Sequence, residues 1–402
     1  MLTIFHTADW HIGQNFYGYD RKEEHLYFFN WLKTQVKDKS ADVLIVAGDV
    51  FDSPNPSAES QKVYYRFLHE ITFENPQLQI IIIAGNHDSA ARLDAPNPLL
   101  EEMNINVKVI KRKEDGEIDF DQLFVPLKQG NETLAWCIAV PYLRQGDYPP
   151  AESYSKGIAL MYESLYMKLE EIRDKKPVIV TGHLQTQDSI VSDKDRSEKA
   201  IIGGLECISS NIFIRDYIAY TALGHLHKHQ YVAEYNIQYA GSPLPMSFAE
   251  IDYKHGVNMV KLNSEGLESI ERLNFEPLTK LLSIPAEPMS VSDVLLEIAK
   301  LPDGEINNTS PYLDLKILIT EPEPSIRNKL NEAVKGKSVK LATTTPYKID
   351  SDDDESTTLT YEDLKTIDPT QIAKDVFKRE YSTNMPDNMI KLLQDVIREV
   401  ED

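Results

Sequence analysis

Only two cysteines occur in the 402 residues, Cys137 and Cys207, and neither stands in a C-x-x-C pair. That excludes a disulfide framework and a cysteine-built zinc site. Both thiols are expected as buried small hydrophobes in a reducing compartment. No apolar run approaches the roughly 18 residues of a membrane helix. No basic segment followed by an apolar core precedes His6-Thr7-Ala8-Asp9, so no signal peptide is expected and a cytoplasmic location is. Basic residues are also scarce. Forty-two Lys and Arg face 64 Asp and Glu, for a formal net charge of −22. A protein that wraps nucleic acid unaided is usually basic, so that class is disfavoured. Part of the acid is concentrated late, in Asp350 to Glu355.

The length calls for more than one domain. Short apolar runs alternate with helical patterns over the first two thirds. Leu2-Thr3-Ile4-Phe5, Val43 to Val46, Gln79 to Ile83, Val178 to Val180 and Ile218 to Leu223 read as buried strands. Helical stretches cover about Asp20 to Val36, Ser57 to Thr72, Ser89 to Met103 and Glu152 to Arg173. The alternation predicts an α/β sheet covered on both faces. A hairpin-rich stretch runs from about Val107 to Tyr142. Strands at Asn236 to Ala240, Gly256 to Lys261 and Leu267 to Asn274 are expected to close a second sheet. Past Pro277 the pattern predicts a small β-α-β-α-β unit over Leu281 to Ile349, with helices at Val291 to Ala299 and Ser325 to Val334.

The expected domains are 1–277 for the main body, 278–349 for a small α+β unit, 350–367 for an acidic linker and 368–402 for C-terminal helices. Asp368-Pro369 makes a good helix start. Met389, Leu392, Leu393, Val396, Ile397 and Val400 form one apolar stripe after Pro386. Helices this short need a surface to pack on, either this chain's own body or a partner.

The polar residues fall in one ordered series: Asp9-x-His11, Gly48-Asp49, Gly85-Asn86-His87-Asp88, Gly182-His183 and Gly224-His225-x-His227. Asp9, Asp49, Asn86, His183 and His225 each follow a predicted strand, and sites in open α/β sheets collect at the C-terminal strand ends. In extended backbone residues i and i+2 point to one side, so Asp9 with His11, and His225 with His227, can each face a common ion. Seven donors suffice for two divalent ions about 3.5–4 Å apart. Such a pair neutralises a phosphate ester and lowers the pKa of water. Asp49 is the bridging carboxylate in this reading. Asp9, His11 and His227 complete one ion, and Asn86, His183 and His225 the other. The mixed donor set suits manganese, with iron or zinc as alternatives. His87 follows a ligand directly and is the expected general acid. Asp52 and Asp88 are both candidates to orient it. His229 shares the parity of His227 but reads as a strand residue pointing away. His6, His25, His69 and His255 lie outside the pattern.

This series resembles that of the calcineurin-like metallophosphoesterases. His6-Thr7-Ala8-Asp9-Trp10-His11-Ile12-Gly13, Gly48-Asp49-Val50-Phe51-Asp52, Gly85-Asn86-His87-Asp88-Ser89 and Gly241-Ser242-Pro243-Leu244-Pro245 closely resemble the SbcD family of nuclease subunits, over roughly residues 1–275. The resemblance implies a two-layer β-sandwich core with flanking helices, a small capping domain and C-terminal helices. It implies manganese-dependent DNA cleavage, exonucleolytic on duplex ends and endonucleolytic on hairpins and single strands, in DNA end processing, recombination and repair. It implies an SbcC-type coiled-coil ATPase partner that gates the site, receives the tail helices and supplies much of the DNA-binding surface. A homodimer would form through helices such as Ser57 to Thr72 and Ser89 to Met103. Asp52, three residues after the bridging aspartate, becomes the preferred orienter of His87. Protein phosphatases of this superfamily follow the second motif with Asp-Arg-Gly; here Asp52 is followed by Ser53-Pro54, against a phosphoprotein phosphatase.

Two other functions compete. A small-molecule phosphodiesterase would need neither cap nor tail helices. A scaffold keeping metals for structure would not need His87. Lys111-Arg112-Lys113, Arg92 and Arg144 are the nearest approach to a basic patch.

Overall fold

The computed structural model describes residues 1–130, 132–190, 207–319 and 326–348, and residues 374, 377, 385, 386, 389–391 and 393 of the tail. The strands of the main body form two six-stranded sheets, the expected two layers. In the first, Leu2–Thr7, Val43–Ala47, Gln79–Ile83 and Ile105–Lys108 run parallel in that order. Gly256–Asn263 and Gly266–Asn274 extend it antiparallel from Leu2–Thr7. These two strands were expected in the second sheet. Their register with Leu2–Thr7, His6 opposite Asn258, is a long-range pairing that local pattern does not encode. The second sheet orders Gln230–Val232, Glu234–Tyr239, Ile218–Gly224, Val178–His183, Glu132–Ala139 and Phe124–Gln129.

Side-chain parity builds the layers. Alternate residues of a strand face opposite ways. Ile4, Val43, Ile45, Ile81 and Ile83 of the first sheet share one core with Val125, Cys137, Ile179 and Ala222 of the second. The opposite parity, Phe5, Leu44, Val46, Ile80 and Ile82, packs on Phe28, Leu32, Phe67 and Leu68 of helices Lys22–Asp38 and Ala58–Glu74. Ile138, Val178, Val180 and Leu223 pack on Ile158, Met161, Leu165 and Leu169 of helix Tyr154–Ile172. The strands read as continuous apolar runs because both faces are buried. The result is helix, sheet, sheet, helix: the β-sandwich core with flanking helices.

Ser57 and Ser153 cap two of these helices through their hydroxyls. The single helix expected over Ser89 to Met103 is two short ones, Ala90–Asp94 and Asn97–Glu101, because Pro96 stands where a helical N–H is needed. Cys137 is buried as expected, but Cys207 is half-buried.

Past the main body, Leu281–Met289, Val291–Ala299, Tyr312–Ile319, Ile326–Val334 and Lys340–Lys348 form a three-stranded sheet with two helices. The first two strands are parallel, and Val294, Ile298, Leu313, Leu315 and Leu330 make its core. It is latched to the main body. Tyr312 Oη donates to Glu24 Oε1 at 2.7 Å. Glu24 in turn pairs with buried Arg21, and the Tyr312 ring packs on Phe16 at 4.6 Å.

The acidic run 350–355, the linker to 367 and the helix start at Asp368-Pro369 lie outside the described residues. Of the apolar stripe, Met389 and Leu393 are described, and the N–H groups of Met389 and Ile390 donate to Pro386 O as at a helix start. Leu392, Val396, Ile397 and Val400 lie outside.

Candidate metal centre

The proposed ligands come from both sheets. Asp9, Asp49 and Asn86 follow strands of the first; His183 ends a strand of the second and His225 follows another. The site therefore lies where two sheet ends meet, rather than along one edge. The sheets touch there through backbone. A Cβ on Gly224 would lie 1.9 Å from Ala47 O, and one on Gly85 would lie 2.1 Å from Asp49 Oδ1. That is why glycine precedes the ligands: nothing larger fits.

The ligand pairs do not lie on the extended backbone expected for i, i+2 neighbours. Asp9, His11, Asp49 and His225 all have positive φ, at 55°, 46°, 49° and 101°. Non-glycine residues are held there only when the surroundings over-determine them, and such strain gathers at functional sites. The supports are visible. Asp9 N donates to Gly48 O and His11 N to Asp49 O, each at 3.0 Å. Asp9 Oδ1 accepts from His225 N at 2.9 Å.

Seven side chains converge. Ligand atoms of Asp9, His11 and His227 lie within 4.8 Å of one another, and so do those of Asp9, Asp49 and His183. Asp49 Oδ2 stands 3.6 Å from His11 Nε2 and 3.3 Å from His183 Nε2, between the two groups. Asn86 Oδ1 lies 2.9 Å from His183 Nε2 and 3.0 Å from His225 Nδ1. His183 Nδ1 donates to Ala47 O at 2.8 Å, so Nε2 faces the site, where burial is outweighed by the Asp49 charge and the ring is raised to about 9.

These residues fit a cation pair. Asp9, His11, Asp49 and His183 are at most 3% exposed. Among the described residues, Asp9 Oδ2 and both ring nitrogens of His11 are buried without a hydrogen-bond partner, a costly state that metal coordination relieves. Burial, with repulsion from Asp49, raises Asp9 to about 7 against the pull of His183 and His227. Burial also opposes the charge of Asp49, but His183 and His11 outweigh it and hold the carboxyl well below its usual range. Burial, reinforced by His183, lowers His225 to about 3, and burial lowers His11. Neutral imidazoles are the form that binds metal.

His87 sits beside the group, its N–H donating to Asp49 Oδ1 at 2.8 Å and its ring 4.8 Å from that of His11. Its Nδ1 donates to the backbone carbonyl of Asp52 at 3.0 Å. Asp52 thus touches His87 as preferred from the resemblance, but through its carbonyl rather than its carboxylate. Asp88 is engaged elsewhere. Its carboxylate accepts from the N–H groups of Val50, Phe51 and Gly85 at 3.1, 3.0 and 2.9 Å, tying two ligand loops together. His229 stands outside the ligand groups. Lys111 pairs with Asp94, and Arg112 is turned onto the carbonyls of Gly116 and Gly146. Arg144 reaches the site, donating to Asn86 O at 3.0 Å.

Residues 2–229 match the family model described as calcineurin-like phosphoesterase. Residues 277–381 match that described as Type 5 capsule protein repressor C-terminal domain. The SbcD subunit of the SbcCD nuclease of Rhodobacter capsulatus is 33% identical over 355 residues, covering 85% of this chain and 86% of that one. The corresponding subunit of Escherichia coli K12 is 30% identical, covering 85% and 84%. That of Bacillus subtilis strain 168 is 30% identical over 64% and 66%. The chain belongs to the SbcD family. Membership makes it a hydrolase, a metal-dependent phosphodiesterase of a nuclease family. The phosphoesterase match of this SbcD-family chain spans the strands that carry the donors from Asp9 to His227. Among the described residues no helix is long and apolar enough to cross a membrane.

Sequence reasoning missed one residue of this SbcD-family site. Glu250 is fully buried, and its Oε1 accepts from His227 Nδ1 at 3.1 Å. It stands in a short turn, Phe248–Glu250, with no strand before it and no motif spacing to mark it.

Proposed function

We propose that this chain is the nuclease subunit of an ATP-gated SbcC–SbcD-type complex that cuts DNA ends and hairpins with two manganese ions. The observation that carries this reading is the convergence of seven donor side chains from two sheets onto one buried spot, beside His87. Asp9, His11 and His227 hold one ion; Asn86, His183 and His225 hold the other; Asp49 is shared. Bound, the two ions neutralise the phosphate and activate water. The chain's own part is positional and acid–base. Asp52 O occupies His87 Nδ1, so Nε2 is the nitrogen that exchanges a proton with the leaving oxygen. Arg144, next to Asn86, is placed to steady the DNA backbone by charge.

The remaining assignments follow the same reading. Residues 1–277 are the nuclease domain, 278–349 the cap, 350–367 a linker and 368–402 helices that dock on a coiled-coil ATPase. That partner supplies the positive surface which a chain of charge −22 lacks. Phe73 and Leu99, 77% and 74% exposed on helices Ala58–Glu74 and Asn97–Glu101, support a homodimer face there. The compartment is the cytoplasm.

The test is manganese-dependent cleavage of end-labelled linear duplex and hairpin DNA by wild type and His87→Ala, alone and with an SbcC-type ATPase plus ATP. Cleavage lost in the variant is the expected result. Turnover of bis-p-nitrophenyl phosphate with no DNA cleavage under any condition would replace this reading with a small-molecule phosphodiesterase.

A further inference from the structure

Two segments that carry no proposed ligand are both built around His227. The first is Gly241-Ser242-Pro243-Leu244-Pro245. Gly241 takes φ +70°, and a Cβ there would lie 2.6 Å from His227 O. Ser242 N donates to that same carbonyl at 3.0 Å. The second is the turn that follows. Ser247 caps it by accepting from Ala249 N, and the turn aims Glu250 back at the His227 ring.

Glu250 Oε1 accepts from His227 Nδ1 at 3.1 Å, and its Oε2 accepts from Met246 N–H at 3.0 Å. A carboxylate oxygen serves as acceptor in such a contact. The proton of the contact must therefore sit on Nδ1. That fixes the tautomer with the lone pair on Nε2, in a ring that groups with Asp9 and His11. Two contacts hold the turn from the far side. Phe248 packs on Phe16 and Tyr17, ring centroids 5.6 Å apart in each case. Arg21 donates to Pro245 O while paired with Glu24, the carboxylate that also receives Tyr312. Glu250 is thus a braced residue facing a ligand.

We infer that Glu250 is the positioning residue of His227, setting its tautomer and ring orientation so that Nε2 binds the ion shared with Asp9 and His11. The inference rests on the ligand assignment proposed above. His183 has a backbone carbonyl, Ala47 O, in the same role. A carboxylate makes an imidazole a stronger donor than a carbonyl does. The two ions are therefore supported unequally, and removing the Glu250 charge weakens one of them selectively. A merely structural glutamate would not do this.

The test is calorimetric titration of manganese into the metal-stripped full chain. Wild type takes up two ions. Glu250→Gln preserves volume and is expected to hold one ion at wild-type affinity and the other roughly 10–100-fold more weakly. Excess manganese should refill the weak position. Glu250→Asp, which keeps the charge but shortens the reach, should weaken the same ion by less. Wild-type affinity for both ions in Glu250→Gln, with His227→Asn losing one, overturns the inference alone. If Glu250→Gln fails to fold, Glu250→Asp decides: unchanged affinities, or equal weakening of both ions, overturn it. If His227→Asn itself keeps both ions at full affinity, the ligand assignment falls, and this inference with it.

Discussion

His87 Nδ1 donates to the backbone carbonyl of Asp52, while the Asp52 carboxylate stands 3.4 Å from His11 Nδ1 instead. A substitution of the Asp52 side chain therefore leaves the orienting atom in place. Asp52→Asn should lower turnover of bis-p-nitrophenyl phosphate less than about tenfold, whereas His87→Ala should cost about 10²–10⁴-fold, the range for a general acid. Equal losses in the two variants would return the orienting role to the carboxylate.

Asp88 is a brace. Its two oxygens take three backbone N–H groups from the loops that carry Asp49 and Asn86, although burial and the nearby Asp49 raise its carboxyl to about 6. In Asp88→Asn an amide NH2 would confront buried N–H donors. Unsatisfied buried donors cost about 1–3 kcal/mol each, so a loss of about 2–4 kcal/mol is expected. Denaturant unfolding of the metal-free protein measures it, and a midpoint equal to wild type would rule the brace out.

Gly224 is where the two sheets meet backbone to backbone. Gly224→Ala places a methyl 1.9 Å from Ala47 O, the carbonyl that also holds His183. Overpacking costs about 1–3 kcal/mol, and a displacement of about 1 Å at a catalytic group costs about 100-fold. The variant should lose at least that much activity, bind manganese more weakly and melt lower. Retained activity would mean that the sheet separation is not critical to the ligands.

Acid should destabilise the fold through histidines that take no part in the site. His6, His25 and His255 are held down to about 3, 4 and 4 from the usual 6.5, by burial first and by a nearby arginine. A group whose folded pKa is depressed binds fewer protons in the native state. Its stabilising contribution is therefore full above the unfolded pKa near 6.5 and is lost as pH falls toward the folded value. By about pH 5 each group should cost on the order of 1–2 kcal/mol. Unfolding of the metal-free chain across that window measures the slope, and flat stability from about pH 7 to pH 5 would contradict it.

Much of this protein can be read from local pattern. The strands Val43–Ala47, Gln79–Ile83 and Val178–His183 announce themselves as apolar runs ended by glycine and a polar residue. Because strand ends collect functional groups, Asp49, Asn86 and His183 are legible as donors before any coordinates. The small unit after Pro277 is legible for the same reason, since each element is short and sharply bounded. Which strands belong to which of the two sheets is not. Gly256–Asn263 and Gly266–Asn274 suit either sheet by composition, and only their pairing with Leu2–Thr7 places them.

What the sequence determined by itself is therefore the elements, their order and the chemical identity of the donors, because apolar periodicity and glycine punctuation act over a few residues. What the tertiary structure decided is how those donors meet. The left-handed backbone at Asp9 and His11 is held by hydrogen bonds from a neighbouring loop. The Asp52 carbonyl rather than its carboxylate faces His87, because loop packing sets which atom comes within reach. Glu250 closes on His227 from a turn 23 residues further on, a contact that no periodicity specifies and only the packed chain creates.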